Sequence, residues 1–151
     1  MDANAVKLKI LLDLIGKKKG LLSQILVICE NQEALLAAER SEEYDKLFID
    51  MGSEKQLLVN DVTDTDTFFQ KIFSELGEDF ERISNENKDV IKSLQEHVMT
   101  VTELDAKIRL TEGRNRDKIA RTRAMPGQRD ISEALKRQLL EHYRHHGKSQ
   151  F

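Results

Sequence analysis

Proline occurs once in the 151 residues, at position 126; cysteine also occurs once, tyrosine twice and tryptophan never. Each scarcity excludes something. With the only proline near the C-terminus, no residue upstream forces a helix to stop. A single cysteine, Cys29, cannot form a disulfide within the chain, so stability has to come from packing. It follows Ile28 in an apolar stretch, which suits a packed thiol better than a reactive one. Aromatics make up only 5% of the chain and charged residues 34%, a balance of long helices with aliphatic seams and not of a thick core enclosing an enzyme pocket. Long hydrophobic runs are missing too. The segment from Leu8 to Ile15 is short and broken by Lys9 and Asp13, so it makes neither a membrane-spanning helix nor a signal-peptide core. The expectation is a chain without stable membrane insertion, placed by default in the cytoplasm.

What is present is charge, unevenly spread. Residues 1–105 carry 12 basic and 22 acidic side chains, whereas residues 106–151 carry 12 basic and only 5 acidic, so the chain is acidic first and basic last. A basic end can meet an acidic protein, anionic lipid or nucleic-acid phosphate, or fold back near the acidic part, and charge alone does not choose.

The apolar pattern is helical throughout. Leu8, Leu11, Ile15, Leu22, Ile25, Cys29 and Leu36 recur at helical spacing and predict one helix over about residues 6–39, softened where Gly16 and Gly20 bracket three lysines. Residues 37–43 interrupt this seam, and Ser41 is placed to cap a second helix whose first turn holds Glu42, Glu43 and Asp45. So short a connection makes the two helices antiparallel. The second seam runs from Tyr44, Leu47, Met51, Leu58, Val62, Phe69, Ile72 and Leu76 through Phe80, Ile83, Val90, Leu94 and Val98 to Val101, Leu104 and Ile108. As one helix over residues 42–122 it would be about 120 Å long, against about 51 Å for the first. Such a seam has to bend back, dimerise or hold another chain. Two stretches could break it: the Thr/Asp run at residues 63–67 and the polar residues 84–87. Met125, Pro126 and Gly127 end it near residue 122. Beyond lies a basic tail, residues 123–151, in which Asp130 or Ser132 could start a short helix with Ile131, Leu135, Leu139 and Tyr143 in one row. The fold expected is all-α: an elongated antiparallel hairpin or three-helix bundle with coiled-coil-like packing over residues 1–122, followed by that tail.

No residue set carries chemistry. His142, His145 and His146 approach metal-ligand spacing but have no third ligand or catalytic glutamate, so they read as a solvated helix end, and His97 as an edge residue of the seam. Neither a phosphate-binding glycine loop nor a nucleophile elbow is present. Arg109, Arg114, Arg116, Lys118, Arg121, Arg123 and Arg129 form a dense basic stretch, but it has no aromatic stacking residue and no DNA-reading motif, so nucleic acid is not expected as a partner. These observations point to a non-enzymatic protein without cofactor or metal.

The first helix, the turn AlaAlaGluArgSerGluGluTyrAspLysLeu at 37–47, GluLysGlnLeuLeu at 54–58, ThrGluLeuAspAlaLysIle at 102–108 and GluGlyArgAsn at 112–115 together resemble the FlgN/FliT-like flagellar export chaperones. The likeness spans about residues 6–122 and rests on degenerate helical patterns. It implies a cytoplasmic chaperone that holds a helical segment of a flagellar axial subunit, of hook-associated or filament-cap type, prevents its premature polymerisation and hands it to the export apparatus. In that family the C-terminal helical region is a usual client-binding element. By region, this makes Ile108, Ile119, Ile131, Leu135, Leu139 and Tyr143 the expected partner contacts. The alternative is a coiled-coil adaptor or homodimeric scaffold, with Asn87 as a register-setting polar residue on the seam.

Overall fold

The computed structural model describes residues 2–124, which after the capping Asp2 lie in helices or the short turns between them. Helix α1 spans Ala3–Ala37, α2 Glu42–Leu76, α3 Phe80–Glu86 and α4 Lys88–Ala124, with a single 3-10 turn at Gly77–Asp79 between α2 and α3. The architecture is an all-α bundle of three long helices.

Local chemistry sets most of the boundaries. Asp2 caps α1 by accepting the Asn4 amide at 2.9 Å, and Ser41 caps α2 by accepting the Tyr44 amide at 3.1 Å. Helix α1 runs unbroken through Gly16 and Gly20. The Thr/Asp run at 63–67 does not break α2: Thr63, Thr65 and Thr67 turn their hydroxyls back onto the carbonyls four residues upstream, at 3.1, 2.7 and 3.0 Å. The chain turns instead at Gly77 and, within the second candidate stretch 84–87, at Asn87. Gly77 adopts φ 51, ψ −129, a conformation that strains any side-chain-bearing residue. Asn87 leaves the helical region between α3 and α4, its amide donating to the Ile83 carbonyl at 2.8 Å. It therefore marks a junction and is not a register residue within a continuous seam.

Reversal at residues 77–87 lays α4 back along α1. On the α2 side, Lys7 meets Glu75 at 3.7 Å and Lys18 meets Asp66 at 2.8 Å, so the two helices run antiparallel. On the α4 side, the ring of His97 lies against Gly16 and Arg114 pairs with Glu33, so α1 and α4 run parallel. Helix α1 packs closely along both neighbours, whereas the backbones of α2 and α4 scarcely approach one another. Each long helix faces its neighbours with a strict three-four alternation. It runs Leu8, Leu11, Ile15, Lys18, Leu22, Ile25, Cys29, Gln32, Leu36 on α1; Asp45, Phe48, Gly52, Lys55, Val59, Val62, Asp66, Phe69 on α2; and Leu94, His97, Val101, Leu104, Ile108, Thr111, Asn115, Lys118, Thr122 on α4. All of these are buried or half-buried.

The second seam follows the sequence expectation at Val62, Phe69, Ile72, Leu76, Ile83, Leu94, Val101, Leu104 and Ile108, but its first turns are out of phase. Tyr44 and Leu47 are exposed while Phe48 and Val59 are buried, and on α4 Val98 is exposed. An apolar-only count skips Asp45, Gly52 and Lys55, which hold seam positions, and so slides onto the flank of the helix.

Three apolar clusters fill the interior. The largest joins Ile15, Leu22, Ile25, Cys29, Val59, Val62, Leu94, Val101 and Ile108 across all three helices. A second, of Leu8, Leu11, Ile72, Leu76 and Ile83, closes the end where α3 crosses the start of α1. There Asn4 donates to Asp79 at 2.8 Å, and Arg82 lies near Asp2, Asp79 and Glu86. A small third cluster, Phe48 with Ile119, sits at the opposite end against Leu35, Leu36 and Ile49.

Candidate functional site

Between the large cluster and the Phe48 cluster lies a layer of polar side chains drawn from all three long helices. The Lys55 side chain is fully buried; its ammonium donates to Gln32 Oε1 at 2.9 Å and forms an ion pair with Glu112 Oε1. Gln32 in turn donates through Nε2 to the Phe48 carbonyl at 3.1 Å. The Cys29 thiol donates to the same Glu112 oxygen at 3.2 Å, and Asn115 donates through Nδ2 to the Cys29 carbonyl at 3.1 Å. Asn115 Oδ1, also buried, has no hydrogen-bond partner among the described residues.

The helices place these groups through the same alternation that places the core. Gln32, Lys55 and Asn115 occupy core-facing positions, so they are buried by the periodicity that buries leucines elsewhere. Burial of a cation is tolerable only when a carboxylate and further acceptors surround it, and Glu112 and Gln32 meet that need. The Cys29 thiol is packed, as its sequence context suggests. Removal from water, partly offset by the Lys55 charge and reinforced by the neighbouring Glu112, pushes its pKa well above the ordinary thiol range, so it is a neutral donor and not a nucleophile.

The partner contacts expected from sequence fall into two groups. Ile108 lies in the large cluster and Ile119 in the Phe48 cluster, both buried. They are core residues, because α4 returns along α1 and spends its apolar stripe on that helix. Ile131, Leu135, Leu139 and Tyr143 lie outside the described residues, as do Met125, Pro126, Gly127 and the histidines at 142, 145 and 146. His97 is half-buried, with Nδ1 3.4 Å from the Lys19 ammonium, at the edge of the α1–α4 seam.

The outer faces of the bundle carry apolar residues that the seam reading did not register. Leu57 on α2 and Met99 and Leu110 on α4 are the most exposed, at 66, 64 and 63%, with Phe68 and Phe73 less so. Phe73 stacks with Phe69 at 6.3 Å between centroids and tilts against Phe80 at 5.1 Å. These residues were findable as apolar positions that fall off the three-four alternation. The basic residues of α4 are partly committed: Arg109 pairs with Asp105 at 3.0 Å, and Arg114 with Glu33 through bonds of 2.6 and 3.3 Å. The Arg114 guanidinium holds the Glu33 carboxyl below its ordinary value. A shallow open hollow of about 400 Å³ at the α3–α4 junction is lined by residues 85–90 and includes none of the expected contacts.

Among the described residues, no three His, Cys, Asp or Glu side chains converge as metal ligands do, and no helix is long and apolar enough to cross a membrane. The described residues thus define an all-α bundle with a buried polar layer near one end of α1. No protein-family model matches the chain, and neither curated proteins nor solved structures yield a match.

Proposed function

We propose that this chain is a non-catalytic binding protein that holds a helical segment of another polypeptide, and specifically an export chaperone for a flagellar axial subunit. The observation that carries the reading is how the apolar stripes are used. Helices α1, α2 and α4 satisfy their principal stripes on one another, down to Ile108 and Ile119. The remaining amphipathic pattern in the sequence is the row Ile131, Leu135, Leu139 and Tyr143, set in the basic end of the chain. A partner helix laid against that row gains about 25 cal/mol for each Å² of apolar surface buried, which has to exceed the ordering of both segments. The resemblance to the FlgN/FliT-like chaperones supplies the client class, and the cytoplasm is the compartment that goes with it.

Co-expression with the axial subunits of the same cell, followed by affinity capture, tests the reading. A stoichiometric complex with a hook-associated or filament-cap subunit, lost in Leu135→Asp while the melting temperature is kept, is the expected result. A folded protein that captures no axial subunit refutes it.

A second reading, a coiled-coil adaptor or homodimer, draws on the exposed Leu57, Phe68, Val98 and Met99. Scattered surface hydrophobics are ordinary, so the burden falls on sedimentation. A tight dimer across a hundredfold dilution would favour this reading over the chaperone.

A further inference from the structure

We propose that the outward face of α2 is a docking surface for a basic amphipathic helix of a partner protein. This face is separate from the row at residues 131–143, and the proposal does not rest on the chaperone reading.

Helix α2 carries two stripes of three-four steps. The inner one, from Asp45 to Phe69, is spent on the bundle. The outer one steps from Leu47 through residues 50, 54, 57, 61 and 64 to Phe68, and every residue on it is exposed. It is about 32 Å long. Leu47, Leu57 and Phe68 are its apolar members, and Leu57 is the most exposed large hydrophobic among the described residues. Single exposed apolar residues are ordinary, but here three share one stripe whose other members are Asp50, Glu54, Asp61 and Asp64. Among the described residues none of these four carboxylates meets a cation, whereas Asp66 and Glu75 of the same helix are taken by Lys18 and Lys7 of α1.

Charge selects the occupant. Helix α2 holds nine acidic and three basic side chains, against three and five on α1 and six and nine on α4. An unpaired acidic stripe repels lipid and nucleic-acid phosphate alike. A second copy docked symmetrically would set these carboxylates against their own duplicates. A helix with apolar residues on one side and Lys or Arg flanking them satisfies both parts of the stripe, its apolar side covering Leu57 and Phe68 and its cations reaching the acids between. On α4, Met99 and Leu110 are about as exposed as Leu57 but lie among charges of both signs, so they serve as controls.

A photo-activatable phenylalanine analogue, placed in the full chain at residue 57 or 68 and irradiated in the cells that make the protein, reads the occupant directly. Both sites should give a discrete adduct with one other protein, at least about tenfold more abundant than from the analogue at residue 99 or 110. The crosslinked segment, sequenced by mass spectrometry, should carry an excess of Lys and Arg and apolar residues at helical spacing. Made as a synthetic peptide, it should bind the purified protein less tightly as salt rises. Leu57→Ser with Phe68→Ser should weaken that binding at least about tenfold, and Asp61→Asn with Asp64→Asn should weaken it and flatten the salt dependence. These side chains are exposed, so both variants should keep the wild-type thermal melt. No discrete adduct at residues 57 and 68, equal yield at 99 or 110, an adduct with a second copy of this chain, or a crosslinked segment without excess positive charge overturns the proposal.

Discussion

Replacing Lys55 by Met and Glu112 by Leu, singly and together, measures whether the ion pair acts as a coupled buried unit. Lys55 is wholly buried and the Glu112 side chain is 11% exposed, so solvent screens their attraction little. In Glu112→Leu the Lys55 ammonium keeps Gln32 but loses the Glu112 carboxylate. In Lys55→Met the Glu112 carboxylate retains the Cys29 thiol, a weak donor. Breaking a buried pair by removing one partner costs about 3–5 kcal/mol, whereas replacing both by apolar groups of similar volume is near neutral or stabilising by about 1–4 kcal/mol. Each single variant should therefore melt roughly 10 °C or more below wild type, and the double variant at or above it. Urea unfolding monitored by circular dichroism at 222 nm gives the free energies, and an unchanged m-value confirms that the same surface is exposed. The expected coupling energy exceeds about 3 kcal/mol. Single variants that cost less than about 1 kcal/mol, or a double variant as unstable as the two losses summed, would refute the claim that these groups share a dry layer.

Other perturbations probe separate parts of the molecule. Leu22→Ala, at the fully buried middle of α1, should cost about 3–5 kcal/mol in urea titration, while Leu110→Ala on the outer face of α4 should change stability by less than about 0.5 kcal/mol. Ser41→Ala removes the oxygen that accepts the Tyr44 amide and should cost about 1 kcal/mol, with Ser41→Gly recovering most of it. Glu33 has a lowered carboxyl pKa, so its pairing with Arg114 adds stability above the unfolded value near 4.5, and this is lost as pH falls through the lowered one. In Arg114→Gln, a carboxyl NMR titration should show Glu33 back near 4.5. The Cys29 thiol should react with a disulfide reagent at least about a hundredfold more slowly in the native protein than in urea, and comparable rates would contradict its burial.

The helical class, the continuous α1 and the Ser41 cap were all legible in the sequence, because each rests on local chemistry or on a period that neighbouring residues repeat. The phase of the first turns of α2 was not. Finding it required reading Lys55 and Gly52 as core positions, which only the unbroken three-four step from Phe48 to Phe69 justifies and hydrophobicity argues against. For the same reason the polar layer escaped notice: Gln32, Lys55 and Asn115 are ordinary surface residue types until three helices converge on them. The return of α4 was partly visible, since residues 84–87 stood out as a possible break and a three-helix bundle was one expected fold. Gly77 and Asn87 interrupt the chain without interrupting its apolar rhythm, so Ile108 and Ile119 looked like spare surface when they pack into clusters shared with α1 and α2.

The central place of α1, packed along its length by both neighbours while their backbones stay apart, has a consequence for synthesis. As the polypeptide leaves the ribosome, α2 can fold against α1 as soon as the hairpin has emerged, since that pairing is local in sequence. The other flank of α1 waits for α4, whose matching residues lie about 80 positions downstream. Until then Leu22, Ile25 and Cys29 lie at the open side of a half-built sandwich, at the stage of growth when a nascent chain is most prone to associate with others.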